Sequence, residues 1–100
     1  MNNLFAQSAG FAVLERDNDV QTAVMRLQRG EASGPLGNEH ADSAQVLCVV
    51  SGSVDARIGD REFMMNAGDS AIVGKGVEHR FVGASDEPAI TFNVYCPPAY

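Results

Sequence analysis

The chain has 100 residues, of which 45% are hydrophobic and 20% charged, and its formal net charge is −6 at pH 7. This size and balance predict one globular domain with one hydrophobic core. The acidic charge repels phosphate backbones and anionic headgroups, and the basic residues are scattered singly. We therefore expect neither nucleic acid nor a membrane surface as a partner.

The beginning of the sequence lacks the features of a secretory signal. The first basic residue is Arg16, and the apolar stretch 4–14 is interrupted by polar residues and a glycine. The longest apolar run, 46–50, is far shorter than the roughly 20 residues that span a bilayer. We expect a cytoplasmic protein, and because its core is thin, association into a homodimer would add stability.

Apolar and polar residues alternate at period two along most of the chain, and turn residues recur at short intervals. This pattern is typical of an all-β sandwich or barrel. The first two predicted strands are 11–16 and 20–28, with a turn of Asp and Asn residues between them. The following stretch, 29–43, is rich in glycine and small polar residues, so we predict a loop, which contains His40.

Six further strands are predicted after this loop, separated by turns that contain glycine or proline: 45–51, 54–58, 62–65, 70–73, 78–82 and 89–95. The glycine turns between the first three of these strands predict a meander. No repeat, linker or second domain is visible in the sequence.

The histidines His40 and His79 are the two side chains that both titrate near neutral pH and make good nitrogen ligands. They lie 39 residues apart, which excludes local chelation. They can meet only if the loop of His40 lies beside the turn that leads into the strand of His79. Cys48 and Cys96 show no metal or redox spacing, and we expect both to be reduced and buried.

The segment 32–83 resembles the two sequence motifs of the cupin superfamily, which are small barrels with an internal pocket. In that family the first motif holds two histidines one residue apart, a glutamate after four further residues, and then a turn glycine. The corresponding positions of this chain hold Asn38, His40, Gln45 and Gly52. Two of these therefore depart from the family pattern, with asparagine in place of a histidine and glutamine in place of the glutamate.

The second cupin motif begins with glycine and aspartate, passes through a proline-x-glycine bend, and reaches a histidine three residues later. The pair at 68–69, the bend at 74–76 and His79 follow this register, with glycine in place of the bend proline. Both histidines of the chain thus fall on motif positions.

This resemblance implies a single all-β domain over residues 1–100, a double-stranded β-helix or jelly-roll barrel of the cupin type. Period-two alternation then turns apolar side chains into the barrel together with the histidines. The expected pocket wall consists of Leu47, Val49, Phe81 and Phe92. A barrel of this size holds one small molecule.

The resemblance also implies a metal centre inside the barrel. The expected ligands are His40, Gln45, His79 and Asn38. Glu39 is the alternative to Asn38, because a bulge in the loop would turn it toward the site. Zinc, nickel, iron and manganese all suit such ligands, but without Glu39 every ligand is neutral, and the affinity should be lower than in a site with a carboxylate.

Two functions remain open at this point. The first is an enzyme in which a divalent metal acts as a Lewis acid on a small carbonyl or carboxylate compound. The second is a non-catalytic barrel that binds or senses a small ligand, which the loss of a charged ligand at Gln45 favours. The sequence leaves open whether the protein is an enzyme, because a fold does not determine a reaction.

Overall fold

A computed structural model describes residues 2–34, 37 and 40–100. Its elements are a short 3-10 helix, Leu4–Ala6, followed by β1 (Phe11–Arg16), β2 (Gln21–Leu27), β3 (Ala44–Ser51), β4 (Ser53–Ile58), β5 (Arg61–Asn66), β6 (Ser70–Val73), β7 (His79–Gly83) and β8 (Ala89–Cys96). Every predicted strand is present, with its ends shifted by no more than one residue. None of the helical structure in these ranges is long and apolar enough to cross a membrane.

The strands form two sheets whose neighbouring strands run antiparallel. The larger sheet has the order β1-β2-β8-β3-β6, and the smaller one has the order β5-β4-β7. Apolar side chains from both inner faces fill the space between the sheets: Met25, Leu27, Leu47, Val49, Val54, Ala56, Met65, Val73, Phe81 and Ala89. The arrangement is a double-stranded β-helix and confirms the all-β prediction.

The predicted meander over β3, β4 and β5 is wrong. Only Gly52 separates β3 from β4, and a tight hairpin commonly needs a turn of two residues. The chain instead crosses from one sheet to the other, and β3 pairs with β6 and β8. Gly52 has a φ of +75°, and a Cβ atom there would lie 2.9 Å from Cα of Ala89, so this crossing requires glycine.

Alternation along β8 turns Ala89, Thr91, Asn93 and Tyr95 toward the inside of the barrel, where all four are buried. Phe92, which was expected in the pocket wall, therefore lies on the outer face and is half-buried. The sequence misled here because β8 carries polar residues on its inner face and apolar residues on its outer face. Hydrophobicity alone does not identify the inward side of such a strand.

The outer side of the larger sheet carries a band of uncharged, mostly apolar side chains, here called the outer apolar face: Val46, Cys48, Ile72, Phe92 and Val94. Val46 and Ile72 pair across two neighbouring strands, and 40% and 70% of their surfaces are exposed. Neither cysteine forms a disulfide. Neither is buried as expected. Cys48 is half-buried on the outer apolar face, and Cys96 is exposed because it lies at the end of β8, beyond the pairing with β2.

Candidate functional site

Two residues that precede His40 in the chain, Ser33 and Gly37, pair with the edge strand β7. The main-chain N–H of His79 donates to the carbonyl of Gly37 at 2.9 Å, and farther along the strand Ser33 Oγ accepts a hydrogen bond from the N–H of Phe81 at 3.0 Å. This pairing brings the two histidines together, as the sequence required. Their ring centroids are 4.5 Å apart, and the ring planes are tilted by 43°.

His79 is the first residue of β7, and its side chain points into the barrel with 9% of its surface exposed. Nδ1 lies 3.0 Å from the carbonyl oxygen of Val77. Because a carbonyl only accepts hydrogen bonds, Nδ1 carries a proton, and in the neutral ring Nε2 carries the lone pair. The backbone thereby sets the tautomer and orientation that a metal ligand or a proton acceptor needs.

His40 is equally enclosed, with 7% of its surface exposed. Its Nε2 lies 2.9 Å from Oε1 of Gln45, and its Nδ1 lies 3.2 Å from the carbonyl oxygen of Ser43. The ring of Tyr95 approaches edge-on at a centroid distance of 5.1 Å. Both ring nitrogens thus face oxygen acceptors, and a neutral ring can donate to only one of them.

A chain of buried hydrogen bonds continues from His40 into the barrel. Gln45 Nε2 donates to Oδ1 of Asn93 at 2.9 Å, and Asn93 Nδ2 donates to Oγ1 of Thr91 at 2.9 Å. These three residues, here called the buried amide chain, are at most 3% exposed. Buried polar groups are costly unless paired, so each member holds the next in a defined orientation.

Sequence reasoning did not include Asn93 and Thr91 in the site. A signal was available, because two polar residues occupy alternate positions of a strand that is otherwise apolar. Such residues share a face, and if that face is buried they need partners. What the sequence could not supply is the identity of the partner, which lies on β3, 48 residues away from Asn93.

The two histidines and Gln45 line a cavity of about 50 Å³ at one end of the barrel. Its other described wall residues are Phe11, Met25, Ser33, Phe81, Tyr95 and Tyr100. Since a water molecule occupies about 30 Å³ in the liquid, the cavity has room for an ion or one to two waters. None of its described wall residues is an acid, a lysine or an arginine.

Of the residues predicted for the pocket wall, Phe81 lines this cavity. Leu47 and Val49 face inward as predicted, but they belong to the fully buried core rather than to the cavity wall. Among the predicted ligands, the structure brings His40, Gln45 and His79 together. The remaining candidates, Asn38 and Glu39, lie outside the described residues.

The donor set that the structure describes fits a divalent transition metal. Imidazole nitrogens suit zinc, nickel, iron and manganese, and an amide oxygen can complete such a set. Nε2 of His40 and Oε1 of Gln45 are 2.9 Å apart, close enough for both atoms to reach one ion. Within the described ranges no cluster of three or more His, Cys, Asp or Glu side chains exists. These donors include no carboxylate, so a metal held by them alone would be bound with lower affinity than in a site with one.

A family model described as "Cupin domain" matches residues 23–95. No match was found among curated protein sequences.

Several solved structures share the fold over most of the chain. A protein from Bacillus halodurans is 21% identical with a TM-score of 0.88, covering 97% of this chain and 76% of its own. KdgF from Halomonas sp. is 16% identical with a TM-score of 0.80, covering 88% and 77%. A sugar phosphate isomerase of the cupin superfamily from Silicibacter pomeroyi is 25% identical with a TM-score of 0.71, covering 89% and 60%. The first two likenesses, at lower identity, establish the fold alone.

Proposed function

Because the chain belongs to the cupin family, we propose that its barrel binds a divalent transition metal and acts on a small carbonyl or carboxylate compound. The proposed ligands are His40 Nε2, His79 Nε2 and Gln45 Oε1. The observation that carries the proposal is their convergence on one cavity, with the two imidazole rings 4.5 Å apart. A pocket on which a few polar and titratable side chains converge is the first candidate for a binding site in a protein of this kind.

The substrate class rests on the relatives and on the cavity. The Silicibacter pomeroyi protein is described as a sugar phosphate isomerase, which supports a carbonyl compound. Phosphate groups are recognised by arginine, lysine or helix N-termini, and none of the described cavity residues is basic apart from the histidines. We therefore propose that the substrate of this chain is a carbonyl compound without a phosphate group.

The roles of the residues follow from their hydrogen bonds. A bound metal would act as a Lewis acid that polarises a carbonyl or carboxylate oxygen. The Val77 carbonyl holds His79 with Nε2 as its donor atom, and Asn93 holds Gln45 with its oxygen toward His40. Phe81 packs beside the ring of His79 at a centroid distance of 6.1 Å and excludes water from that side.

The test is metal analysis of protein purified without an affinity tag. We expect about one transition metal ion per chain in the wild type, and loss of the metal in His40→Ala and His79→Ala. Arg80→Ala is the matched control, because Arg80 follows His79 on β7 but is exposed on the opposite face. Metal should raise the melting temperature of the wild type and of the control only. Equal metal content in the wild type and in His40→Ala would overturn the proposal.

A second candidate function is a barrel that binds or senses a small ligand without catalysis. The neutrality of the described donors favours it, since a site without a carboxylate holds a metal weakly. The same samples separate the two functions. Under the second, the wild type is free of metal, and a chelator leaves its melting temperature unchanged.

A second copy of the chain is the proposed macromolecular partner. Two copies that each carry a net charge of −6 repel each other least when they meet through an uncharged surface. The outer apolar face is such a surface, and Ile72, 70% exposed, stands near its edge. We place the homodimer contact there.

A further inference from the structure

A larger cleft of about 300 Å³ lies beside the histidine cavity. The two spaces share the wall residues Phe11, Met25, Ser33 and Tyr100. The cleft continues along a further set of residues: Gly10, Arg26, Leu27, Glu31 and Ala32. Cavity and cleft are therefore neighbouring compartments with a common wall.

The ring of Tyr100 stands between the two compartments. Its centroid lies 4.8 Å from that of Phe11 and 5.2 Å from that of Tyr95. Tyr95 in turn lies against the ring of His40. A row of three aromatic rings, those of Phe11, Tyr100 and Tyr95, thus leads from the cleft to the imidazole. Tyr100 is the most exposed of the three, at 47%.

The main chain of Tyr100 is fixed independently of its ring. The side chain of Gln21, 1% exposed, accepts hydrogen bonds at Oε1 from the N–H groups of Ala99 and Tyr100, at 3.1 and 2.9 Å. Gln21 Nε2 donates to the main-chain oxygen of Tyr100 at 2.6 Å, and Arg16 donates to the same oxygen at 3.0 Å. Rotation about the side-chain torsions of Tyr100 can therefore move the ring while these hydrogen bonds persist.

The sizes of the compartments decide which ligands they can hold. Ordinary small-molecule sites measure roughly 300–1,000 Å³, so the cavity of about 50 Å³ is too small by itself. The cleft reaches the lower end of that range. Its walls include the apolar side chains of Phe11, Met25 and Leu27, which suit an aromatic or branched aliphatic group.

Building on the site proposed above, we propose that cavity and cleft bind one ligand together, with Tyr100 as the residue that selects it by size. The ligand is a small carboxylate or carbonyl compound with an aromatic or branched aliphatic body. Its oxygen lies at His40 and His79, and its body displaces the Tyr100 ring and packs against Phe11 and Met25. With the ring in place, the inner cavity admits an ion or water-sized groups only.

The test titrates phenylacetate, which has such a body, and acetate, which lacks it. Binding is followed by NMR at the Met25 methyl group and at the imidazole protons of His40 and His79. We expect both sets of signals to shift with one dissociation constant. Phenylacetate should bind Tyr100→Ala about tenfold more tightly than the wild type. This factor is expected if the Tyr100 ring is displaced, and the pocket open, in about one-tenth of the wild-type molecules. Acetate should bind both proteins equally.

Two control variants accompany this experiment. Tyr100→Phe retains the ring, so it should bind phenylacetate more weakly than Tyr100→Ala does. Phe5→Ala removes another exposed aromatic ring, one that lines neither compartment, and should match the wild type. The amide spectrum of each variant reports that the barrel is folded.

Three results would overturn the inference: equal phenylacetate affinity of the wild type and Tyr100→Ala, shifts at Met25 without shifts at the histidines, or tighter binding by Phe5→Ala as well. The metal content of the same samples keeps the two proposals apart. If the protein is loaded with metal but Tyr100→Ala has no effect, the proposed metal site stands and the joint binding of one ligand by cavity and cleft is refuted. If the protein is free of metal but the signals of Met25 and the histidines shift together, the metal site is refuted and the joint binding stands.

Discussion

Gln45 turns its side-chain oxygen, and not its nitrogen, toward Nε2 of His40, at a distance of 2.9 Å. Asn93 fixes that direction, because its own oxygen accepts the hydrogen bond from Gln45 Nε2. Asn93 in turn donates to both the hydroxyl and the carbonyl of Thr91. Residues that do not line the cavity thus determine which atom of Gln45 the cavity presents.

Substitution of a charged ligand at this position should strengthen metal binding. In Gln45→Glu a carboxylate replaces the amide oxygen next to the two imidazoles, and we expect zinc affinity to rise by about tenfold or more, because a unit charge at contact distance contributes several kcal/mol in a partly desolvated site. Gln45→Leu, which offers no donor atom, should bind zinc more weakly than the wild type. Competition with a chelating dye measures all three affinities. Indistinguishable affinities would mean that position 45 is not a ligand.

The stability contributions of Gln45 and Asn93, two members of the buried amide chain, should depend on each other. Asn93→Leu leaves the amide nitrogen of Gln45 buried without its acceptor, which should lower the free energy of unfolding by about 1–3 kcal/mol. In the double variant Gln45→Met, Asn93→Leu both partners are apolar, and the loss should be smaller than the sum of the single losses. Urea unfolding of the four proteins gives the coupling energy. Additive losses would show that the two amides act independently.

Gly83 should tolerate no side chain. A Cβ atom there would collide with the main-chain oxygen of Gln28 and lie 2.9 Å from that of Leu27, so relief requires movement of backbone. We expect Gly83→Ala to cost about 3 kcal/mol or to prevent folding. Gly74→Ala is the matched control, since its Cβ would meet Val77 at an ordinary 3.5 Å. Thermal unfolding compares the two, and a Gly83→Ala protein as stable as this control would contradict the expected clash.

Charge introduced into the outer apolar face should dissociate the proposed homodimer. Ile72→Lys places an unpaired charge in the contact, and we expect dimer affinity to fall by about tenfold or more. Met64→Lys is the control, because Met64 is also exposed, at 49%, but belongs to the other sheet. Sedimentation velocity over a range of concentrations distinguishes the species. A wild type that stays monomeric throughout, or an Ile72→Lys variant that stays dimeric, excludes this interface.

The turn between β1 and β2 should make a pH-dependent contribution to stability. The Asp17 carboxylate accepts hydrogen bonds from the N–H groups of Asp19 and Val20, which lowers its pKa below the usual 3.8. A carboxyl whose pKa is lower in the folded state stabilises the fold above 3.8, and this contribution is lost as the pH falls through the lowered value.

Asp17→Ala should therefore lower the free energy of unfolding at neutral pH, and the deficit should shrink in acid. Asp17→Asn keeps an oxygen that can accept from the same N–H groups but has no charge, so its deficit at neutral pH should be smaller, and it should also shrink in acid, where the wild type loses the ionised carboxylate. Urea unfolding at neutral pH and below 3.8 gives both comparisons. An Asp17→Ala deficit of the same size in both conditions would contradict the role of the ionised carboxylate.

The fold followed from local signals to a large extent. Alternation and turn residues predicted every strand to within one residue, because both signals are local. The link from β3 to β4 did not follow, since Gly52-Ser53 has the composition of a hairpin turn. Ser53 instead begins β4, and pairing with distant strands decides that outcome.

The site was predictable only in part, for the same reason. His40 and His79 fell on the register of known motifs, so their meeting could be expected. The wall residues Phe11 and Tyr100 lie outside the matched motifs, and nothing near them in sequence indicates that they reach the cavity. Their placement depends on long-range contacts, above all the hold of Gln21 on the main chain of Tyr100.

Strand β8 occupies the middle of the larger sheet, between β2 and β3, although it comes after both in the sequence. During synthesis, the hydrogen-bonding edges that β2 and β3 later share with β8 stay unsatisfied until residue 96 has left the ribosome. Exposed edges of this kind invite pairing with other chains. Truncations or stalled translation products that lack β8 should therefore be far more prone to aggregate than the complete barrel.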